Sequence, residues 1–374
     1  MLPFNCLGIL LTLILGLPLF GLLLAGYALP PNLTIFPIPA EPGDFSNSWL
    51  ACGMLALLIT ATLTPVICRF FKFPVIARRK SFHPWPFPWW GWIAFLWVVG
   101  SWLLAWTRFS WFEPCQPHTF PLLWFGYILT LNALTFQRSH QCLLLNRPLF
   151  CGQLFLLSAG FWWAFEYLNQ YVKNWHYVNL PETSHFEYAF YTSIAFSTVL
   201  PAVLSTYEWL STFPRLTLPF KNWHPVPRMI VQPTGWVLLS LGSMGLGLIG
   251  IWPNLLFPLL WLCPLCLLLG IQFIRKEKTC FHGLVQGDWR PVLLSALAAL
   301  LCGFWWELWN ANSLVHWEYT IPYVHTFKVF EMPILGYSGY IPFGLTCLAI
   351  TEFALGYQPS HQLKFPVLSN QDTA

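Results

Sequence analysis

Phe120-Pro121-Leu122-Leu123-Trp124 and Phe257-Pro258-Leu259-Leu260-Trp261 are the same five residues written twice. Matched landmarks surround both copies in the same order. Upstream, His83-Pro84-Trp85-Pro86 is echoed by His224-Pro225-Val226-Pro227, and Gly91-Trp92 by Gly235-Trp236. Downstream, Arg138 matches Arg275, Arg147-Pro148 matches Arg290-Pro291, and Gly160-Phe161-Trp162-Trp163 matches Gly303-Phe304-Trp305-Trp306. Trp175-His176-Tyr177 then corresponds to Trp317-Glu318-Tyr319, Phe186-Glu187 to Phe330-Glu331, and Glu208 to Glu352. A shared order of individually weak matches is the mark of an internal repeat. It divides the chain into residues 1–80, a first copy over 81–210, a second copy over 222–355, and a polar tail over 356–374.

Composition names the solvent. Charged residues are 9% of the chain, against about 25% in a soluble domain. With a mean hydropathy of +0.57, one soluble core cannot hide the apolar surface, so the bilayer must solvate most side chains. Ten apolar stretches are long enough to span a hydrocarbon core, near 4–28, 48–69, 88–107, 120–137, 149–171, 187–208, 233–252, 254–274, 291–311 and 330–355. The first lacks a basic start and a small-residue cleavage site, so it reads as a retained helix.

Lys and Arg orient the chain. With the N-terminus inside, the inner loops hold fifteen of them, and the outer loops hold Arg108, Lys173 and Lys328. This positive-inside bias puts both termini in the cytoplasm. The expected fold is an all-α polytopic membrane bundle of ten transmembrane helices: two parallel four-helix repeats plus two N-terminal helices. An even number of spans per copy relates the copies by an axis along the membrane normal. The compact chain and short loops suggest a bacterial inner membrane. Pro30 to Pro42 reads as an irregular outer loop, and Arg78-Arg79-Lys80 as a linker beside anionic headgroups. His83 and His224, each followed by prolines, read as helix-start turns or as proton-relay contacts. The net charge of +4 is dispersed, which gives no footing for nucleic acid. The eleven cysteines lie mostly in apolar segments, and only Cys115 falls in an outer loop, so no disulfide framework is expected.

Polar residues gather at the outer side. The fifth and ninth spans are read as ending in a Gly-Phe-Trp-Trp turn, followed by Glu166, Asn169, Gln170 and Asn174 in one copy and Glu307, Asn310, Asn312 and His316 in the other. At a rise of 1.5 Å per residue, Glu307 lies about 24 Å beyond Pro291, near the outer edge of the hydrocarbon. Glu187 and Glu331 fall at helix N-termini, where the dipole favours a carboxylate.

Three readings fit this cluster. Trp and Tyr favour headgroup depth, so it can be an interfacial belt. Proton chemistry on an apolar substrate is the second reading, because an acid inside a membrane helix is a functional candidate by default. Aromatic faces would stabilise a resulting cation by about 2 kcal/mol when desolvated. Metal is the third, because His185-Phe186-Glu187 and His316-Trp317-Glu318 set imidazole and carboxylate two residues apart.

The order of an acid at a helix end, then Trp-x-Tyr, then an acidic start to the next helix resembles the membrane lycopene-cyclase-domain proteins. The residues that carry it are Glu307, Trp317-Glu318-Tyr319 and Glu331, with Trp175-His176-Tyr177 and Glu187 in the first copy. In place of that family's proline and paired acids stands Phe330-Glu331-Met332-Pro333. The resemblance implies an isoprenoid substrate class.

Together these readings point to an integral membrane enzyme acting on an isoprenoid, carotenoid-like or other apolar lipid by acid catalysis. Glu307, Glu331 and Glu318 are the expected acids; Asn310, His316, Trp305, Trp306, Trp317, Tyr319, Glu166 and Glu187 are expected to line the substrate site. No cofactor or metal is assigned. The alternative is a proton-coupled transporter or lipid-binding carrier, in which Glu208 and Glu352 would complete a path across the membrane. Aligning the Gly-Phe-Trp-Trp runs sets Ala164 opposite Glu307, so chemistry is expected to centre on the second copy. Cys263-Pro264-Leu265-Cys266 is a thiol pair within an apolar span, and its redox reading lacks partner cysteines in the outer loops.

Overall fold

In a bilayer every backbone polar group must be satisfied within the segment, so apolar length becomes helix. The computed structural model describes residues 3–28, 36–37, 47–74, 85–227 and 231–357. Most of Pro30 to Pro42, Arg78-Arg79-Lys80, His83 and the tail beyond Tyr357 lie outside the described residues.

The helices are α1 (Pro3–Leu24), α2 (Trp49–Lys72), α3 (Trp89–Trp106), α4 (Thr119–Ser139), α5 (Leu143–Asn146), α6 (Pro148–Val172) and α7 (His185–Phe196). They continue with α8 (Val199–Ser211), α9 (Pro214–Lys221), α10 (Val231–Ile249), α11 (Pro253–Leu256), α12 (Leu259–Ile274), α13 (Arg290–Asn310) and α14 (Tyr340–Leu355). Four short strands interrupt them: β1 (Trp175–Val178), β2 (His316–Tyr319), β3 (Lys328–Val329) and β4 (Met332–Pro333). Among the described residues, eight helical stretches are long and apolar enough to cross a membrane, and α12 is a shorter apolar helix. The chain is a helical multi-pass membrane protein.

Three expected helical boundaries move. The expected 187–208 span divides into α7 and α8. Pro201 lacks the N–H that would bond the Ser197 carbonyl one turn back, and the break falls there. The stretch from Phe330 does not begin a helix. Phe327 and Phe330 take φ of 56° and 57°, β3 lies between them and pairs with β4 beyond Phe330, and a 3-10 turn over Ile334–Gly339 leads into α14. The Gly-Phe-Trp-Trp runs are not turns. Both lie inside helices, which continue to Val172 and Asn310.

Small residues let the helices approach closely, as membrane packing favours. α10 and α12 meet where a Cβ on Gly270 would lie 2.8 Å from the Leu239 nitrogen and 3.0 Å from the Gly235 carbonyl oxygen. α1 crosses α10 at Gly21, where a Cβ would fall on the Gly247 carbonyl. The buried centre is built by α4, α6, α8, α13 and α14 around residues such as Trp124, Leu168, Leu200, Ala298 and Phe343. Aromatic contacts cross between the two halves of the chain. Trp124 meets Trp306 at 5.0 Å, and Phe165 stacks on Trp261 at 5.4 Å.

Candidate functional site

The site is organised by a ribbon that the sequence reading left as loops. β1 and β2 pair antiparallel, with Trp175 opposite Tyr319, His176 opposite Glu318, and Tyr177 opposite Trp317. The side-chain period of two then sorts the residues. Trp175, Tyr177, Trp317 and Tyr319 face a cavity, which His316 at the end of β2 also reaches, while His176 and Glu318 do not line it. Two asparagines hold the ribbon. Asn169 Nδ2 donates to the Trp175 carbonyl at 2.8 Å, and its Oδ1 accepts from the Asn174 backbone N–H at 2.8 Å. Asn310 Nδ2 donates to the Trp317 carbonyl at 2.7 Å, and its Oδ1 accepts the Trp317 N–H at 2.8 Å.

One turn before each asparagine stands a buried acid. Glu166 Oε1 accepts from Trp162 Nε1 at 2.9 Å, Trp175 Nε1 at 3.1 Å and the Tyr177 hydroxyl at 2.6 Å. Glu307 Oε1 accepts from the hydroxyls of Tyr319 at 2.7 Å and Tyr340 at 2.9 Å. The Trp317 indole donates to the Tyr319 oxygen at 2.8 Å. Glu307 has no exposed surface, and its Oε2 has no hydrogen-bond partner among the described residues. The expectation that Glu307 has no equal is thereby corrected. Glu166-x-x-Asn169 and Glu307-x-x-Asn310 play matching parts, and aligning the Gly-Phe-Trp-Trp runs conceals this by two residues.

The cavity has a volume of about 300 Å³. Its wall includes Trp162, Trp175, Tyr177, Trp261, Trp306, Trp317, Tyr319 and Tyr340, and among the described residues no Asp, Glu, Lys or Arg. The two carboxyls stand one layer behind it and hold phenols that form the wall, Glu166 that of Tyr177 and Glu307 those of Tyr319 and Tyr340. Burial foremost, and the neighbouring carboxyls next, push the phenols of Tyr177 and Tyr319 well above the usual tyrosine range. These side chains therefore stay hydroxyl donors at neutral pH.

Of the expected site residues, Trp306, His316, Trp317 and Tyr319 line the cavity, and Glu307 lies behind it. Trp305 does not line it; its ring packs on Trp102 and Trp309. Asn310 is spent on the ribbon backbone. Glu318 lies on the ribbon's other face, 3.6 Å from both His176 and His316. Glu331 pairs with Lys328 at 3.8 Å, and Glu187 closes a capping box with Ser184 at the start of α7. Period-two alternation turns Glu318 outward, and Glu331, in the β3–β4 turn, is not among the cavity-wall residues. Among the described residues no group of three or more His, Cys, Asp and Glu side chains is arranged to hold a metal ion.

At the opposite ends of their helices, Glu208 accepts from the Tyr357 hydroxyl, and Glu352 Oε2 accepts the Cys280 backbone N–H at 2.7 Å. Cys263 and Cys266 are unbonded thiols, the first buried. Sequence reasoning missed Tyr340, Trp162, Tyr177 and Trp261 as wall residues. The paired Glu-x-x-Asn spacing was its one available signal. No protein-family model matches the chain, and neither a curated protein nor a solved structure matches it.

Proposed function

We propose that this protein is an integral membrane enzyme that binds an isoprenoid or comparable apolar lipid in the aromatic cavity and acts on it by proton donation. The observation that carries this reading is the Glu307–Tyr340 pair: a carboxyl with no exposed surface bonded to a phenol that forms the cavity wall. Glu307 does not itself line the cavity, so the proton moves by relay. For this step Glu307 enters as the protonated acid. Its carboxyl O–H turns to donate to the Tyr340 oxygen, reversing the bond in which Tyr340 donates to Glu307. As that proton moves to Tyr340, the hydroxyl passes its own to the substrate and leaves Glu307 as the carboxylate. The positive charge that develops on the substrate is met by the faces of Trp162, Trp261 and Trp306. The resemblance to lycopene-cyclase-domain proteins supports the same substrate class.

The carrier and transporter reading has less support. It requires the acids at the far ends of α8 and α14 to be free for proton transfer, whereas Glu208 and Glu352 are each bonded locally. We further propose ten spans, the two additional ones being α10 and α12, arranged as two parallel repeats. Both termini lie in the cytoplasm of a bacterial inner membrane, on the strength of the Lys and Arg bias.

Mass spectrometry of apolar lipids extracted from the purified protein tests the reading. The wild-type protein and Glu307→Gln should carry related lipids, with the variant enriched in the unreacted form. Identical lipid profiles would overturn the catalytic assignment.

A further inference from the structure

Resting on the reading of the aromatic cavity as a ligand site, we propose that it takes a second class of ligand besides the apolar lipid: a trimethylammonium group. Ring faces hold the group, with the Glu166 carboxyl behind them.

The wall is the first argument. Among the described residues five indoles and five phenols line the cavity. Apolar burial is non-directional, so an aliphatic wall would serve a hydrocarbon chain as well. Aromatic faces add an attraction for a cation that aliphatic surface lacks. Trp162, Trp175 and Trp261 stand together, the first two with centroids 6.1 Å apart and the last two 5.9 Å apart. A cation within about 6 Å of several ring centroids is attracted by each. A volume of about 300 Å³ is the lower end of what encloses a drug-sized ligand, and a nitrogen carrying three methyl groups fits within it.

The direction of the polar edges is the second. Trp162 and Trp175 donate their indole N–H groups to Glu166 Oε1 at 2.9 and 3.1 Å, and Tyr177 donates its hydroxyl at 2.6 Å. Glu166 is not part of the wall, so these hydrogens are directed behind it. The two indoles therefore offer a ligand carbon and no donor. An ammonium that carries N–H groups finds no acceptor on such rings, and a desolvated donor left unpaired is costly. A fully methylated ammonium has no N–H to satisfy.

Charge is the third. No Lys or Arg among the described residues lines the cavity, and Lys173, which adjoins the wall residue Asn174, is not itself in the wall. Glu166 is 1% exposed, its hydrogen bonds all come from wall rings, and no Lys or Arg among the described residues pairs with it. An opposite charge nearby favours the ionised form of a carboxyl. A fixed cation before these rings and the carboxylate behind them therefore reinforce each other. The proton relay through Tyr340 and Glu307 makes no use of Glu166, and cation binding does.

The test uses the full-length protein in an uncharged maltoside detergent at about pH 8, where an ordinary imidazole is neutral, because His118 and His316 also line the cavity. The probe is radiolabelled hexyltrimethylammonium, read by equilibrium dialysis. Choline should displace it. Its carbon isostere, 3,3-dimethylbutan-1-ol, should do so about tenfold less well, and ethanolamine should also compete poorly. Glu166→Gln should weaken displacement by choline and leave that by the isostere unchanged. Trp261→Leu removes one ring face without touching the Glu166 hydrogen bonds, and should bring choline towards its isostere; it carries the test if Glu166→Gln does not fold. Displacement by added phosphatidylcholine would support a lipid headgroup as the source of the group, and displacement by choline alone a free solute. Equal competition by choline and its isostere would overturn this inference and leave the apolar-lipid reading standing. Absence of saturable probe binding would overturn it too. The apolar-lipid reading fails by a different result, a purified protein that carries no apolar lipid.

Discussion

The Tyr340 hydroxyl at the start of α14 donates to Glu307 Oε1 at 2.9 Å, and so joins the last helix to the acid of the helix before it. The phenol forms cavity wall and the carboxyl does not. Any proton that Glu307 supplies to a ligand therefore passes through Tyr340 or Tyr319.

This relay makes Tyr340→Phe as informative as Glu307→Gln. Each should lower turnover of the lipid substrate by about 10²-fold or more, the usual contribution of a positioned acid. Tyr340→Phe leaves the ring in place, so lipid retention should persist. Turnover and retention measured on the same preparations check both parts. Wild-type turnover in Tyr340→Phe would direct the relay through Tyr319.

The asparagine hooks give a stability prediction. Asn310→Ala removes two hydrogen bonds to the ribbon backbone and should cost about 1–3 kcal/mol, as expected when buried groups lose partners. Asn169→Ala should behave alike, because it too loses two backbone bonds, to the Trp175 carbonyl and to the Asn174 N–H just before β1. Thermal unfolding in detergent reads both. If only Asn310 matters, the two ribbon anchors are not equivalent.

Close helix contact gives a third prediction. At Gly270 a side chain meets the backbone of α10, with no flexible group to move aside. Gly270→Leu should force α10 and α12 apart and yield an aggregated or degraded protein. Gly160→Ala, where nothing lies within 4 Å of the added Cβ, should be neutral. Monodispersity on size exclusion separates the two.

The pH dependence follows from the ribbon phenols. The folded-state pKa of Tyr319 is raised above its unfolded value, chiefly by burial. A group raised in this way contributes stability that is complete below the unfolded pKa of about 10 and is lost as pH rises beyond it. The stability difference between the wild-type protein and Tyr319→Phe should be constant over the neutral range and shrink above about pH 10. Unfolding midpoints across that range provide the check, and a difference that grows at alkaline pH would contradict the assignment.

Much of the helical framework was legible because bilayer crossing demands long apolar runs, and these appear directly in the sequence. The acids were legible for the complementary reason that charge in such runs is costly. The ribbon was not. Trp175-His176-Tyr177-Val178 has the alternation of a strand, but four residues are too short to stand out, and its partner lies about 140 residues away. The role of Tyr340 was equally hidden. It precedes an apolar helix like any interfacial tyrosine, and only the crossing of α13 and α14 brings it to Glu307. Glu318 and Glu331 do not line the cavity, and spacing alone does not reveal which face of a strand, or which side of a tight turn, a carboxylate will take.

The central claim is that the aromatic cavity beneath the ribbon holds an apolar ligand beside the Tyr340–Glu307 pair. A density map of the protein extracted in native-membrane nanodiscs tests this most directly. The account predicts continuous non-protein density against Trp261, Trp306 and Tyr340. A cavity filled only by water, or closed by collapse of the Trp317 and Tyr319 rings onto Trp261, would contradict it.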